Sequence, residues 1–222
     1  MYQFNFGPVL DNIDMLLHGA WLTVRLSFLA MVIGLVVSLL GAVAKTSGVR
    51  PLSWLVDAYV EVIRNTPFLI QIFFIFFGLP AVGIAMAPNT AALVALVINV
   101  GAYGTEIIRA GIESIPKGQI EAGRALGLSP YNIFRHVVAV PALRNIYPAL
   151  TSQFIYLMLT SSVVSVISAN DLASAGADLN ASSFASFEIY LVLTAMYFVL
   201  ALGFSALFAT IRRMFFTYPA SR

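Results

Sequence analysis

The sequence predicts an all-α integral membrane protein with five transmembrane helices and one short water-side helix between the third and fourth. Three observations carry that prediction. The 222 residues are 60% hydrophobic and only 10% charged, against about 25% charged in soluble proteins, and the mean hydropathy is +0.91. Uncharged runs cover 26–44, 65–105, 145–170 and 189–211, and a spanning helix needs about 20 mostly apolar residues. The polar residues gather in one island over 113–148, which holds Glu113, Lys117, Glu121, Arg124, Arg135, His136 and Arg144.

The first run, extended into its flanks, gives a span near 16–44. The 65–105 run is too long for one helix and is broken near Gly78–Pro80 and again near Pro88–Asn89. Its halves, 65–79 and 91–105, are each too short alone, so they extend into charged sequence and give spans near 52–79 and 90–112. The last two runs give spans near 141–168 and 187–211, within one transmembrane domain over 1–222. No internal repeat is apparent. The start lacks a basic segment and a small-residue cleavage pattern, so a removable signal peptide is not expected. Zero cysteines exclude disulfides and thiolate metal sites.

Orientation follows from Lys and Arg. Lys45 and Arg50 lie in the first loop, Lys117, Arg124 and Arg135 in the third, and Arg212, Arg213 and Arg222 after the last helix. The N-terminus and the 80–89 and 169–186 loops carry only Asp11, Asp14, Asp171 and Asp178. Basic loops stay inside, which puts the N-terminus in the periplasm and the C-terminus and the 113–140 loop in the cytoplasm. The pI near 9.0 then reflects topology and not a nucleic-acid partner.

Within the island, Gln119 to Leu126 reads as a short helix ended by Gly127, a residue suited to the left-handed conformation after a helix C-terminus. Ser129 offers an N-cap and Pro130 a first-turn residue for a second helix. Gly123 costs about 1 kcal/mol relative to Ala in a helix, which fits a close approach by another surface. On pattern alone, a plain connector and a contact surface are both open.

Glu61 and Arg64 are three apart on the second helix, and Glu106 and Arg109 three apart on the third. Ionisable groups in spans are costly and pair inward. They read first as an ion-pair network near the cytoplasmic ends and second as solute contacts. Arg25 is assigned no role. Asn99, Tyr103 and Glu106 share one face of helix three, and Ser161, Ser165 and Ser168 share one face of helix four. Serines in membrane helices more often serve packing or interhelical hydrogen bonds. Pro67, in Asn65-Thr66-Pro67, frees the carbonyl near Ile63, and such carbonyls are tolerated where they line a cavity. The candidate pathway is therefore Glu61, Arg64, Asn65, Thr66, Asn99, Tyr103, Ser161 and Ser165. His18 and His136 stand near opposite faces, so no metal or catalytic set is expected. No G-x-x-x-x-G-K-[ST] loop occurs, so this chain has no usual phosphate cradle for ATP.

Glu121-Ala-Gly-Arg-Ala-Leu-Gly127, followed by Val137-Val-Ala-Val-Pro141, resembles the EAA coupling loop of the membrane subunits of bacterial ABC importers. Glu61-Val-Ile-Arg-Asn-Thr-Pro67, Gln71 to Pro80, Gly101 to Ile112, Pro116-Lys-Gly-Gln119 and Phe187-Glu-Ile-Tyr190 resemble the polar amino-acid permeases of the histidine, glutamine, arginine and glutamate type. The resemblance spans nearly the whole chain. It implies the type I ABC importer fold and a permease subunit that is not an enzyme and moves a polar amino acid or related compound across the inner membrane. It also implies that the 119–128 segment sits in a groove of a cytoplasmic ATPase, with Glu121, Ala122, Gly123, Arg124, Ala125 and Gly127 as coupling residues. The implied partners are a second homologous permease, two ATPase subunits that bind ATP and Mg, a periplasmic solute-binding protein and membrane lipid. No cofactor is expected in this chain.

Two departures from the family pattern stand out. Pro141 comes one residue late, which should shift the start of the fourth helix. Leu159-Thr160 stands where the family often carries a Lys-Asp pair, which points to a heterodimer whose other permease holds those charges. The alternative class, a stand-alone channel or secondary carrier, needs its own ion coupling, and five spans without a repeat make a poor carrier. A membrane enzyme would need a nucleophile–base or metal constellation that the sequence lacks.

Overall fold

The computed structural model describes residues 4–215; Arg222, counted above for topology, lies outside the described residues. Among these, all regular structure is helical: α1 (Gly7–Asp11), α2 (Ile13–Thr46), α3 (Arg50–Arg64), α4 (Phe68–Val82), α5 (Pro88–Glu113), α6 (Lys117–Ala125), α7 (Pro130–Ile167), α8 (Leu172–Ser183) and α9 (Ser186–Phe215). Four helices, α2, α5, α7 and α9, are long and apolar enough to cross a membrane. The α3–α4 pair makes a fifth as a broken span.

The break corrects the expectation of one helix over 52–79. The chain turns by 108° between α3 and α4. Pro67 lacks the N–H that would continue α3 and sits in an extended conformation, φ −64° and ψ 138°. Beyond it α4 begins α-helical, widens to a π-helix over Phe74–Gly78 and tightens to a 3-10 turn over Leu79–Val82. Gly83, at φ +87°, ends it three residues past the predicted break at Gly78–Pro80.

Close contact between α2 and α5 is set by small residues. A Cβ on Gly34 would stand 2.0 Å from Val100 Cγ1, and one on Gly104 would stand 2.1 Å from Ser38 Oγ. In lipid, where both phases are apolar, such small residues let backbones approach and gain dispersion contact. Around this seam Ile72, Ala91, Ala95, Leu96, Val100, Leu157 and Met158 form the main core.

The fourth span also departs from its predicted 141–168 bounds. It is continuous from Pro130, where Ser129 Oγ accepts from the Asn132 N–H at 3.3 Å as the N-cap. Over Ile133–Ala139 it is a π-helix, which takes an extra residue per hydrogen-bonded turn. Pro141 stands in the first turn of the α-helical stretch that follows, inside the continuous helix. At its far end Ser161–Ile167 is a 3-10 helix that stops at Ser168, φ +58°.

The segment 169–186, expected to be a loop, holds α8. Asp171 and Ser174 form a reciprocal capping box. Leu172, Ala175 and Leu179 then pack on Val9, Leu16, Ile189 and Leu193. Asp171 is 1% exposed and accepts from Tyr197 Oη at 3.2 Å. Outside the spans and buried, its carboxyl is pushed up to about 6 by loss of solvent.

Candidate functional site

Two constellations emerge, one on the polar island and one at the α3–α4 break. On the island, α6 ends in a Schellman turn. The Leu128 N–H donates to the Gly123 carbonyl at 3.1 Å, the Gly127 N–H donates to Arg124 at 3.0 Å, and Gly127 is left-handed at φ +71°. This is the turn that the glycine predicted. Glu121, Ala122, Arg124, Ala125 and Gly127 all face outward. Gly123 does not: it is buried, and a Cβ there would lie 3.3 Å from Ile133 Cγ1. The close approach expected at Gly123 is made by α7 of the same chain. Around the turn Leu126 is 80% exposed, and Tyr131 and Phe134 are also open, an apolar rim on the most polar segment of the chain.

At the break, the freed Ile63 carbonyl does not line open space. Gln71 Nε2 donates to it at 2.7 Å and to the Thr66 carbonyl at 3.0 Å. Asn99 Nδ2 donates to Gln71 Oε1 at 3.0 Å, tying the break to α5. Asn65 and Thr66 donate back to the Glu61 and Val62 carbonyls. The Arg64 guanidinium lies 5.4 Å from the centre of the Tyr103 ring, a cation–π geometry. Val60, Glu61, Arg64, Asn65 and Tyr103 line a cleft of about 320 Å³. Beside it Thr66, Asn99, Tyr103, Tyr156 and Thr160 border a smaller one of about 160 Å³. Tyr103 belongs to both.

Six of the eight pathway candidates therefore meet at one place. Ser161 and Ser165 do not. Their expected shared face assumed 3.6 residues per turn, but the 3-10 turn there has about 3. Ser161 is fully buried and donates to the Met158 carbonyl at 2.7 Å; Ser165 donates to Ser162 at 2.8 Å. The positions sequence reasoning missed are Tyr156 on α7 and Gln71 as the bracket; Thr160, noted in the sequence only as a neutral residue where the family often carries a charge, also borders the smaller cleft. Gln71 was the one polar residue in an otherwise apolar run, a usable signal.

The two acidic–basic pairs part company. Glu106 pairs with Arg109 at 2.8 Å and with Lys45, Lys45 pairs with Asp57 at 2.6 Å, and Arg109 reaches Glu113. This network joins α2, α3 and α5. Among the described residues Glu61 and Arg64 form no ion pair, and both border the cleft.

A polar cleft held at a broken span, with a water-side helix hung between two long spans, is the architecture of a membrane permease, a subunit that opens a path and does no covalent chemistry. The chain belongs to the family of binding-protein-dependent transport system inner membrane components, whose model matches residues 18–215. It is 34% identical over 221 residues to the L-cystine transport system permease protein TcyB of Bacillus subtilis (strain 168), covering 99% of this chain and 92% of that one. It is 36% identical over 213 residues to the glutamine transport system permease protein GlnP of Escherichia coli (strain K12), covering 95% and 97%. Among solved structures, an amino acid ABC transporter described with histidines superposes with a TM-score of 0.89 at 37% identity, over 96% of this chain and 100% of that one. An inward-facing MetNI methionine ABC transporter shares the fold, with a TM-score of 0.68 at 24% identity over 90% and 97%.

Proposed function

We propose that this chain carries a polar amino acid or a related compound across the inner membrane, driven by a separate ATPase that grips α6 and the Gly127 turn. The observation that carries this reading is the Schellman-closed turn, with Glu121 and Arg124 outward and Leu126, Tyr131 and Phe134 exposed beside them. Apolar side chains on a polar segment mark a protein contact. Relatives whose names specify cystine, glutamine and arginine transport support the substrate class. The Lys and Arg distribution supports a periplasmic N-terminus and a cytoplasmic C-terminus.

ATP and Mg bind the ATPase subunits, a periplasmic solute-binding protein delivers the solute, and a second permease completes the path. The solute passes the cleft bordered by Glu61, Arg64, Asn65, Thr66, Asn99 and Tyr103. Thr160, where resembling permeases often carry a charge, borders the same space. A solute ammonium and carboxylate need charged or strongly hydrogen-bonding partners once out of water. With Thr160 neutral, the second permease is a different chain that supplies the missing charges, giving one solute per complex. Affinity purification of the tagged chain with candidate amino acids tests this. Two P-loop ATPase subunits, two different permeases and one bound amino acid are expected. A complex lacking an ATPase refutes the coupling reading; two copies of this chain around two solutes refute the heterodimer alone.

A further inference from the structure

α9 is largely uncovered, with 11% of its apolar window buried. One part of it is shaped. Tyr147, Thr151 and Ser152 of α7 and Ser205, Phe208 and Arg212 of α9 line a cleft of about 260 Å³. We propose that this cleft holds one anionic phospholipid, its phosphate at Arg212 and its glycerol ester oxygens at Ser152 and Ser205.

The charge argument comes first. α7 contains no Asp or Glu, and α9 contains only Glu188, near its opposite end. Arg212 forms no ion pair among the described residues. It stands just past the uncharged run that ends at Ile211, the level at which a spanning helix meets the headgroups. Basic pockets between membrane helices at that level suit anionic headgroups.

The hydroxyls make the second argument. Elsewhere on α9 the exposed threonine hydroxyls bond their own helix: Thr194 donates to Tyr190 and Thr210 to Ala206. In the cleft, Thr151 donates to the Pro148 carbonyl and Tyr147 Oη to the Phe208 carbonyl. Ser152 and Ser205 have no hydrogen-bond partner among the described residues, and both face the cleft. Ser205 is seven residues before Arg212, about 10 Å deeper at 1.5 Å per residue. A phosphate above and ester carbonyls below match that order. Phe208 offers an apolar wall between them. Which leaflet supplies the lipid rests on the orientation proposed above; occupancy by a headgroup does not.

The test is native mass spectrometry of the assembled transporter titrated with phosphatidylglycerol or phosphatidylcholine. The intact complex is expected to prefer phosphatidylglycerol. Arg212→Gln should weaken its binding about fivefold, the effect of one basic residue at a charged membrane surface. Arg213→Gln, outside the cleft, should leave it unchanged, and Ser205→Val, inside it, should weaken it. Equal binding of the two lipids, or equal loss in Arg212→Gln and Arg213→Gln, overturns the proposal. So does disulfide crosslinking of Ser205→Cys to a cysteine on the second permease, which would make the cleft a protein interface.

Discussion

Gln71 Nε2 donates to the Ile63 carbonyl across the Pro67 break at 2.7 Å, so one side chain replaces the backbone bond that proline removes. Gln71 is 7% exposed, as is Asn99, which donates to its other end. Gln71→Leu leaves the Ile63 carbonyl and the Asn99 amide unpaired, at about 1–3 kcal/mol each. Thermal unfolding of the purified protein should show this loss. Asn99→Leu should cost less in the Gln71→Leu background than alone, because its partner is already gone.

Glu106 is the hub of the α2–α3–α5 network. Its side chain is 18% exposed, against 60% for Glu113. Glu106→Gln leaves Lys45 and Arg109 facing each other and should cost about 2–4 kcal/mol. Glu113→Gln removes a surface i,i+4 pair worth less than about 0.5 kcal/mol. Unfolding midpoints of the two variants should separate accordingly, and Lys45→Met should recover part of the Glu106→Gln loss.

Asp171 gives a pH signature. Its folded carboxyl titrates near 6, above the ordinary 3.8, because burial opposes ionisation. The folded chain therefore holds that proton more tightly than the unfolded chain. The associated stability is fully present below about pH 4 and is lost as pH rises through about 6. The unfolding midpoint should fall across that window, and Asp171→Asn should flatten the dependence.

Topology is directly measurable, since the chain has no cysteine. Ser182→Cys should react with an impermeant maleimide in intact cells. Ser47→Cys, exposed on the turn of the first basic loop and away from the ATPase contact, should react only after the membrane is permeabilised. The reverse pattern would invert the orientation.

The features legible in the sequence were those with local chemical causes. Gly127 is left-handed, Ser129 and Pro130 open a helix, and Pro67 breaks one. Asn99 and Tyr103, read from helix spacing as sharing one face of α5, border the same small cleft. What escaped depended on departures from 3.6 periodicity. The 3-10 turn took Ser161 and Ser165 off the cleft and left Thr160 on it. The 108° turn at Pro67 is a tertiary outcome, because proline permits a bend without setting its angle. α8 was hidden in a presumed loop by its small residues, although Asp171 and Ser174 were spaced as a cap.

The central claim is that the Gly127 turn passes the ATPase stroke to the membrane helices, and one variant addresses it. A Cβ at Gly127 meets nothing within 4 Å, so any effect of Gly127→Val comes from the left-handed backbone that a β-branched residue resists. Gly118, on the helix that the Gly127 turn ends, also meets nothing within 4 Å and has no positive φ, so Gly118→Ala is the control. The measurement is solute uptake and solute-stimulated ATP hydrolysis by the reconstituted complex. The account predicts normal assembly for both variants, normal uptake for Gly118→Ala, and loss of uptake and of stimulated hydrolysis for Gly127→Val. Full transport by an assembled Gly127→Val complex would contradict it.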